Sequence, residues 1–227
     1  MNIDTLINEG RTSLSEHESK MFLSSRGIPV TREILIQNRD QLASAANDIG
    51  YPLVIKGCGH DILHKTEKDL VKTDIRNQDE ADEAFKDIIE NMEGAGTGVL
   101  VQEMIQGKRE LVAGLTRDAQ FGPCVMFGIG GIFTEILEDV CFRVAPLTRE
   151  DAFSMMKSIR GSNILGAVRG MPPVDLEALA DMLIAIGRIG IDYDRVKEID
   201  LNPIKVPDGS PVAVDGLIVL ATEIDMG

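Results

Sequence analysis

Two of the chain's three histidines, His60 and His64, lie in or beside the stretch 61-DILHKTEKDLVK-72, flanked by Lys56, Lys65, Lys68 and Lys72. A neutral imidazole, with an unperturbed pKa of about 6.5, is nucleophilic near neutrality and can carry a transferred group covalently. Lysine is a compact point charge for phosphate. The chemistry this spacing would serve is phosphoryl transfer through histidine; the plainer alternative is a solvated charged loop. Near the C-terminus, Asp200, Asn202 and Asp215 flank the turn 207-PDGS-210. If their strands pair, oxygen ligands converge as magnesium requires, with one or two carboxylates and the rest from substrate phosphate. Capping of turns is the competing reading.

Other stretches carry weaker signals of the same kind. In 128-GIGGIFTEILED-139, Gly128, Gly130 and Gly131 precede Glu135 and Asp139; free amides in such a turn form an anion-binding concavity, although glycine in a sheet can mark only a bulge. The segment 101-VQEMIQGKRE-110 offers edge backbone groups for an adenine and Glu103 and Glu110 for ribose hydroxyls, or else a plain strand and turn. Lys56 closes the apolar run 53-LVIK-56, which reads as a buried strand delivering one charge at its edge. Arg160 and Arg169 lie in a glycine-interrupted loop, 160-RGSNILGAVRGMPP-173, and His17 reads as an exposed helix residue.

The elements that must position these groups can be read from local pattern. Ser15 and Glu18 form a capping box, Gly27 is a natural helix stop and Pro29 prevents continuation, which predicts a helix over 16–26. A strand at 30–36 precedes a helix capped by Asp40 and ended by Gly50. A strand over 70–75 leads into an amphipathic helix over 78–92, with Ala81, Ala84, Phe85, Ile88 and Ile89 on its apolar face. The run 94-GAGTG-98 is the natural place to divide the chain into two lobes. Beyond it, strands at 99–105, 110–116, 123–129, 132–137 and 142–147 suggest a largely antiparallel sheet. Helices capped by Thr148 and Asp175 should cover one face, and strands at 196–206 and 211–220 close the chain.

At 227 residues, with 44% hydrophobic and 26% charged residues and no low-complexity tract, the chain is long and apolar enough for a soluble globular protein of one large domain or two lobes. Thirty-seven acidic against twenty-three basic residues give a net charge of −14, which repels nucleic acid and anionic membranes. A phosphate site must therefore be a local pocket. The three cysteines lack C-x-x-C spacing, so neither a disulfide framework nor a zinc site is expected. The N-terminus lacks a signal-peptide pattern, and no apolar run approaches the roughly 20 residues that span a bilayer, so a cytoplasmic protein is expected.

In order, SLSEHESKMFLSSRGIPV at 13–30, YPLVIK at 51–56, DILHKT at 61–66, VQEMI at 101–105, FGPCVMFGIGGIFTEILEDVCFRVAPL at 121–147, and EIDLNP at 198–203 with AVDG at 213–216 resemble one family. It is the ATP-grasp subunit of the ADP-forming (NDP-forming) acyl-CoA synthetases, whose acetate-specific members are acetate–CoA ligases. The resemblance implies an α+β ATP-grasp fold of two lobes with the nucleotide between them, a small lobe at 23–97 and a large one from 1–22 and 98–227. It implies ATP or ADP and Mg2+ as ligands, and a CoA-binding α-type partner in a hetero-oligomer of α2β2 type. The reaction it implies interconverts acyl-CoA, ADP and phosphate with a carboxylate, CoA and ATP.

By position, the resemblance gives Lys56 the nucleotide phosphates, Gln102, Glu103 and Met104 the adenine hinge, and Glu110 the ribose. Gly130 and Gly131 join the nucleotide site, with Glu135 near the phosphates, and Asn202 and Asp215 bind magnesium. His64 matches the histidine of an HK[ST] motif that relays phosphate between the two subunits' sites; the first acceptor histidine belongs to the partner. The chain departs from the family after that motif: where members carry an acidic residue, an apolar residue and two glycines, it has Glu67-Lys68-Asp69-Leu70-Val71. Side chains there oppose closure of the loop over phosphate. Two alternatives stand beside this reading, another ATP-grasp carboxylate–amine ligase and a nucleotide-sensing subunit with impaired catalysis.

Overall fold

Sheet order separates the residues described by the computed structural model, 3–59, 69–92, 96–131 and 139–221, into two units. One comprises Ser13–Glu18 and Thr31–Ile105; the other comprises Met1–Thr12, Ser19–Val30 and Gln106–Gly227.

The smaller unit is built on β1 (Glu33–Ile36), β2 (Leu53–Cys58), β3 (Val71–Ile75) and β4 (Gly98–Glu103), in the spatial order β1-β4-β2-β3 with every pair antiparallel. Alternation along the strands sends Ile36, Leu53, Ile55, Val99 and Val101 to one face. Helices α3 (Leu42–Ile49) and α4 (Gln78–Asn91) cover that face with Leu42, Ala46, Phe85 and Ile88. Asn77 caps α4 by accepting from the Glu80 amide at 3.0 Å. Asp40, expected to cap α3, lies instead within a 3-10 turn, Arg39–Gln41, that feeds the helix. The expected lobe boundary at 97/98 also shifts. Strand β4, read with the second lobe, inserts between β1 and β2, because only there does its Val99/Val101 face meet the helices.

The larger unit holds β5 (Glu110–Asp118), β6 (Gly122–Ile129), β7 (Val140–Val144), β8 (Val196–Lys205), β9 (Val212–Ala213) and β10 (Leu217–Leu220). Their order is β10-β8-β5-β6-β7, with β9 also on β8, again antiparallel throughout. Short α1 (Ile3–Asn8) also belongs here, and α2 (Glu16–Ser25) opens on the expected Ser15/Glu18 capping box. Helix α5 (Arg149–Ser158) starts on the predicted Thr148 capping box, and α6 (Leu176–Asp192) on the predicted Asp175 cap. The strand expected over 211–220 is two strands, broken at 214–216, where the Val214 amide donates to the Pro203 carbonyl at 2.9 Å. The strand expected over 132–137 lies outside the described residues, as does part of the break at 94–98.

Register fixes the two faces of this sheet. Ile199, Leu115 and Val125 form one buried row, and α6 packs over β5, β6 and β8. The next row, on the opposite face, runs Leu217, Asp200, Gly114, Met126 and Phe142. A Cβ built on Gly114 would stand 2.3 Å from the Ile199 carbonyl oxygen, a backbone atom that cannot step aside. Gly114→Ala is expected to cost about 2–3 kcal/mol, by forcing β5 away from β8. A urea midpoint equal to that of the wild type would contradict this packing.

Candidate functional site

In the smaller unit, Lys56 is neither at a strand end nor at a sheet edge. Strand β2 continues to Cys58, lies between β4 and β3, and is buried along its whole length. The expected edge position is thus corrected: Gly57 and Cys58 still pair with Val99 and Gly98, so the ladder carries the strand past the lysine. Lys56 is 4% exposed, and its Nζ lies 2.7 Å from the Glu16 Oε1. His17, expected to be exposed, is instead part-buried, with Nδ1 2.8 Å from the Glu33 Oε1.

Gln102 is fully buried on β4. Glu103 ends that strand with both polar ends engaged: its carboxylate accepts from the Arg32 amide at 2.7 Å and the Arg32 Nε at 3.1 Å, and its own amide donates to the Arg32 carbonyl at 3.0 Å. Met104 begins the connection to β5. Any hinge contact with a base would fall to the Glu103 carbonyl and the Met104 backbone, because the Glu103 donor is already spent.

Of the departure after the HK[ST] motif, Asp69, Leu70 and Val71 are among the described residues, and Glu67 and Lys68 lie outside them. Asp69 takes φ 53°, the left-handed region that glycine prefers and that aspartate tolerates better than most residues. Its carboxylate accepts from the Lys72 Nζ at 2.6 Å, and the carbonyl of Leu70, which is buried, accepts from the Gly57 amide at 2.9 Å. The segment thus keeps a glycine-like turn and adds an apolar anchor.

In the larger unit, Glu110, Gly130 and Gly131 come together. The Gly130 amide donates to the Glu110 carbonyl at 2.8 Å, and a Cβ on Gly131, at φ 72°, would stand 2.7 Å from the Glu110 Oε2. Only glycine admits the carboxylate this close. Lys205 Nζ lies 3.5 Å from the other Glu110 oxygen. Buried Asp139 accepts from the amides of Arg160 and Gly161, each at 2.7 Å, and buried Arg109 donates to the carbonyls of Ile164, Gly166 and Pro172. These two charges, which local pattern does not assign to the task, fix the 160–173 loop that carries Arg160 and Arg169 on its surface.

The two C-terminal stretches pair as the hairpin reading requires, through β8 and β10. Asp200 stands opposite Leu217, and the 214–216 break carries Asp215, whose Oδ1 accepts from the Gly216 amide at 2.8 Å. Asn202 is exposed two residues along β8. Among the described residues no group of three or more His, Cys, Asp or Glu side chains could hold a metal by itself. The donor set of two carboxylates and an amide oxygen fits a hard cation that takes its remaining ligands from phosphate. His64, His60 and Glu135 lie outside the described residues.

Burial, with like charge from Glu198 and Asp215, pushes the Asp200 carboxyl up to about 6. A carboxyl raised in the fold favours the protonated state. Its stabilising contribution is full below the ordinary value of about 4 and is lost as pH rises through about 6. Asp200→Asn should remove that loss in magnesium-free buffer and raise stability at neutral pH by on the order of 2 kcal/mol. Urea midpoints that drop across this pH window as steeply in the variant as in the wild type would contradict it.

An ATP-grasp domain family model matches residues 5–220. The chain is 42% identical, over 212 residues, to the β subunit of ADP-forming acetate–CoA ligase I of Pyrococcus furiosus, covering 91% of each chain. Its fold superposes with a TM-score of 0.91 and 43% identity on the dinucleotide-forming acetyl-coenzyme A synthetase 1 of Ca. Korarchaeum cryptofilum in complex with coenzyme A, Ca-AMPCP and HgCl+, covering 96% of this chain and 97% of that one. The same synthetase in complex with coenzyme A and Mg-AMPPCP, its phosphohistidine segment pointing towards the nucleotide-binding site, superposes at 0.85 with the same identity and coverage. With a family model spanning most of its length and relatives matched almost end to end, the chain belongs to the ATP-grasp family, alongside the β subunits of ADP-forming acetate–CoA ligases.

Proposed function

We propose that this protein is the nucleotide-binding β-type subunit of an ADP-forming acid–CoA ligase. It works with a CoA-binding α-type partner in an α2β2 hetero-oligomer in the cytoplasm. The observation that carries this reading is the near-complete match, in both directions, to a β subunit that is a chain of its own. Among the described residues no helix is long and apolar enough to cross a membrane, and the three cysteines are in the thiol form, which suits a reducing compartment.

Lys56 holds nucleotide phosphate, and the Gln102–Met104 segment meets the adenine. Glu110 meets the ribose beside Gly130 and Gly131. Asn202 and Asp215 hold Mg2+, which when bound neutralises charge on the transferring phosphoryl group. Glu135 is assigned to the phosphates by its position in the sequence alone. In the ATP-forming direction a nitrogen of His64 attacks the phosphorus carried by the partner's histidine, so one N–P bond forms as the other breaks. An oxygen of the ADP β-phosphate then takes the phosphoryl group, leaving ATP and a neutral imidazole. The glycine-like turn at Asp69 favours a working relay over the sensing alternative.

Calorimetry of the isolated chain tests the nucleotide half of the proposal. Mg-ATP should bind, and no ADP should be released when a carboxylate and an amine are added. ADP release under those conditions would favour a carboxylate–amine ligase instead.

A further inference from the structure

The buried pair Glu16–Lys56 is an unusual placement for a phosphate-holding lysine. The side chains are 1% and 5% exposed, and Nζ and Oε1 are 2.7 Å apart. An ammonium in such surroundings without a counter-charge loses its proton well below the ordinary lysine range. Glu16 is also well placed to stay ionised, because it is the first residue of α2, where the helix dipole favours a carboxylate. Register puts Lys56 on the sheet face away from α3 and α4, next to Leu100 and Val71. Glu33 and Cys58 share that face, and Lys20, also buried, follows Glu16 one turn along α2. The Ser13–Glu18 segment adds Glu16, His17 and Glu18; His17 bonds to Glu33, and Glu18 accepts from the Ser15 amide and hydroxyl.

We propose that Glu16 is the positioning residue of Lys56: its buried carboxylate keeps the amine charged and aimed so that the lysine can meet nucleotide phosphate. The inference rests on the reading of Lys56 as a phosphate ligand. Glu16 acts through the lysine and touches no substrate. A purely structural tether between the Ser13–Glu18 segment and the sheet would leave the proton count of nucleotide binding unchanged, whereas a charge-keeping role would not.

The test is Mg-ATP calorimetry from about pH 7.5 to 9 on wild type, Glu16→Gln, Glu16→Asp, Lys56→Met and the Glu16→Gln/Lys56→Met double variant. The double variant removes both charges and avoids leaving one buried alone, so it should fold even where Glu16→Gln does not. Wild-type affinity is expected to be flat over this range. Glu16→Gln should bind roughly tenfold more weakly at the lower end and lose up to about tenfold per pH unit above it, as the amine must capture a proton to bind. Glu16→Asp should restore much of the flat profile, and Glu16→Gln should add nothing in the Lys56→Met background. Two results would overturn the inference: wild-type affinity with a flat profile in Glu16→Gln, or an added loss in the double variant. Wild-type affinity in Lys56→Met would instead remove the reading of Lys56 itself.

Discussion

His64→Asn, assayed with the CoA-binding partner, is expected to lose the acid-labile, base-stable label that γ-labelled ATP leaves on the chain. Turnover should fall by at least roughly 10^3-fold, because an amide nitrogen cannot accept a phosphoryl group and no second route replaces a covalent step. Mg-ATP affinity should stay within about twofold, since a group used only in the transfer contributes little to ground-state binding. Label that persists in the variant would remove the relay from His64. Label lost together with nucleotide affinity would make the residue a binding group instead.

Asp215→Ala should carry the next largest effect, on the order of 10^2–10^3-fold weaker binding of nucleotide in the presence of magnesium, with little change in its absence. The site predicts a second, opposite consequence for stability. The Asp215 charge helps raise the Asp200 carboxyl, so its removal relieves repulsion, and the backbone around it remains held by the Val214–Pro203 hydrogen bond. The variant should therefore unfold no earlier than wild type at neutral pH. Calorimetry across magnesium concentrations reads the first effect and thermal unfolding the second. An unchanged magnesium dependence would take Asp215 off the metal site.

Three helix starts are legible in the sequence because the chemistry that makes them is local, whereas Asp40 falls in the turn before α3. Thr148 and Asp175 start their helices as capping requires, and Ser15 with Glu18 starts another. The placing of β4 is not legible, because strand membership is decided by which face finds a partner and its two candidate sheets differ only in distant residues. The single strand expected over 211–220 fails for a similar reason. Its residues alternate well, but the Val214 amide finds a partner in the Pro203 carbonyl, and the break that results is what carries Asp215.

The candidate site divides in the same way. The pairing of the strands that carry Asp200, Asn202 and Asp215 is legible because a turn joins them within one stretch of chain. Glu16 is not, because its lysine lies 40 residues away and the first turn of a helix is an ordinary place for a glutamate. Burial of both partners is the signal, and one sequence does not show it. The same limit hides the setting of Lys56. An apolar run ending in lysine suggests a strand end, whereas the ladder to β4 continues two residues further. At Asp69 the sequence suggests a loss of conformational freedom, and the backbone shows a left-handed turn kept without glycine.

Reconstitution decides whether this chain is the nucleotide half of a two-subunit acid–CoA ligase. The purified chain is mixed with the CoA-binding protein of its own organism, and ADP release from ATP is followed with and without CoA and with and without a short-chain carboxylate. ADP release is expected to need both proteins, CoA and the acid together, with an acyl-CoA formed for each ADP. ADP released by this chain alone, or release by the mixture that does not depend on CoA, would contradict that assignment.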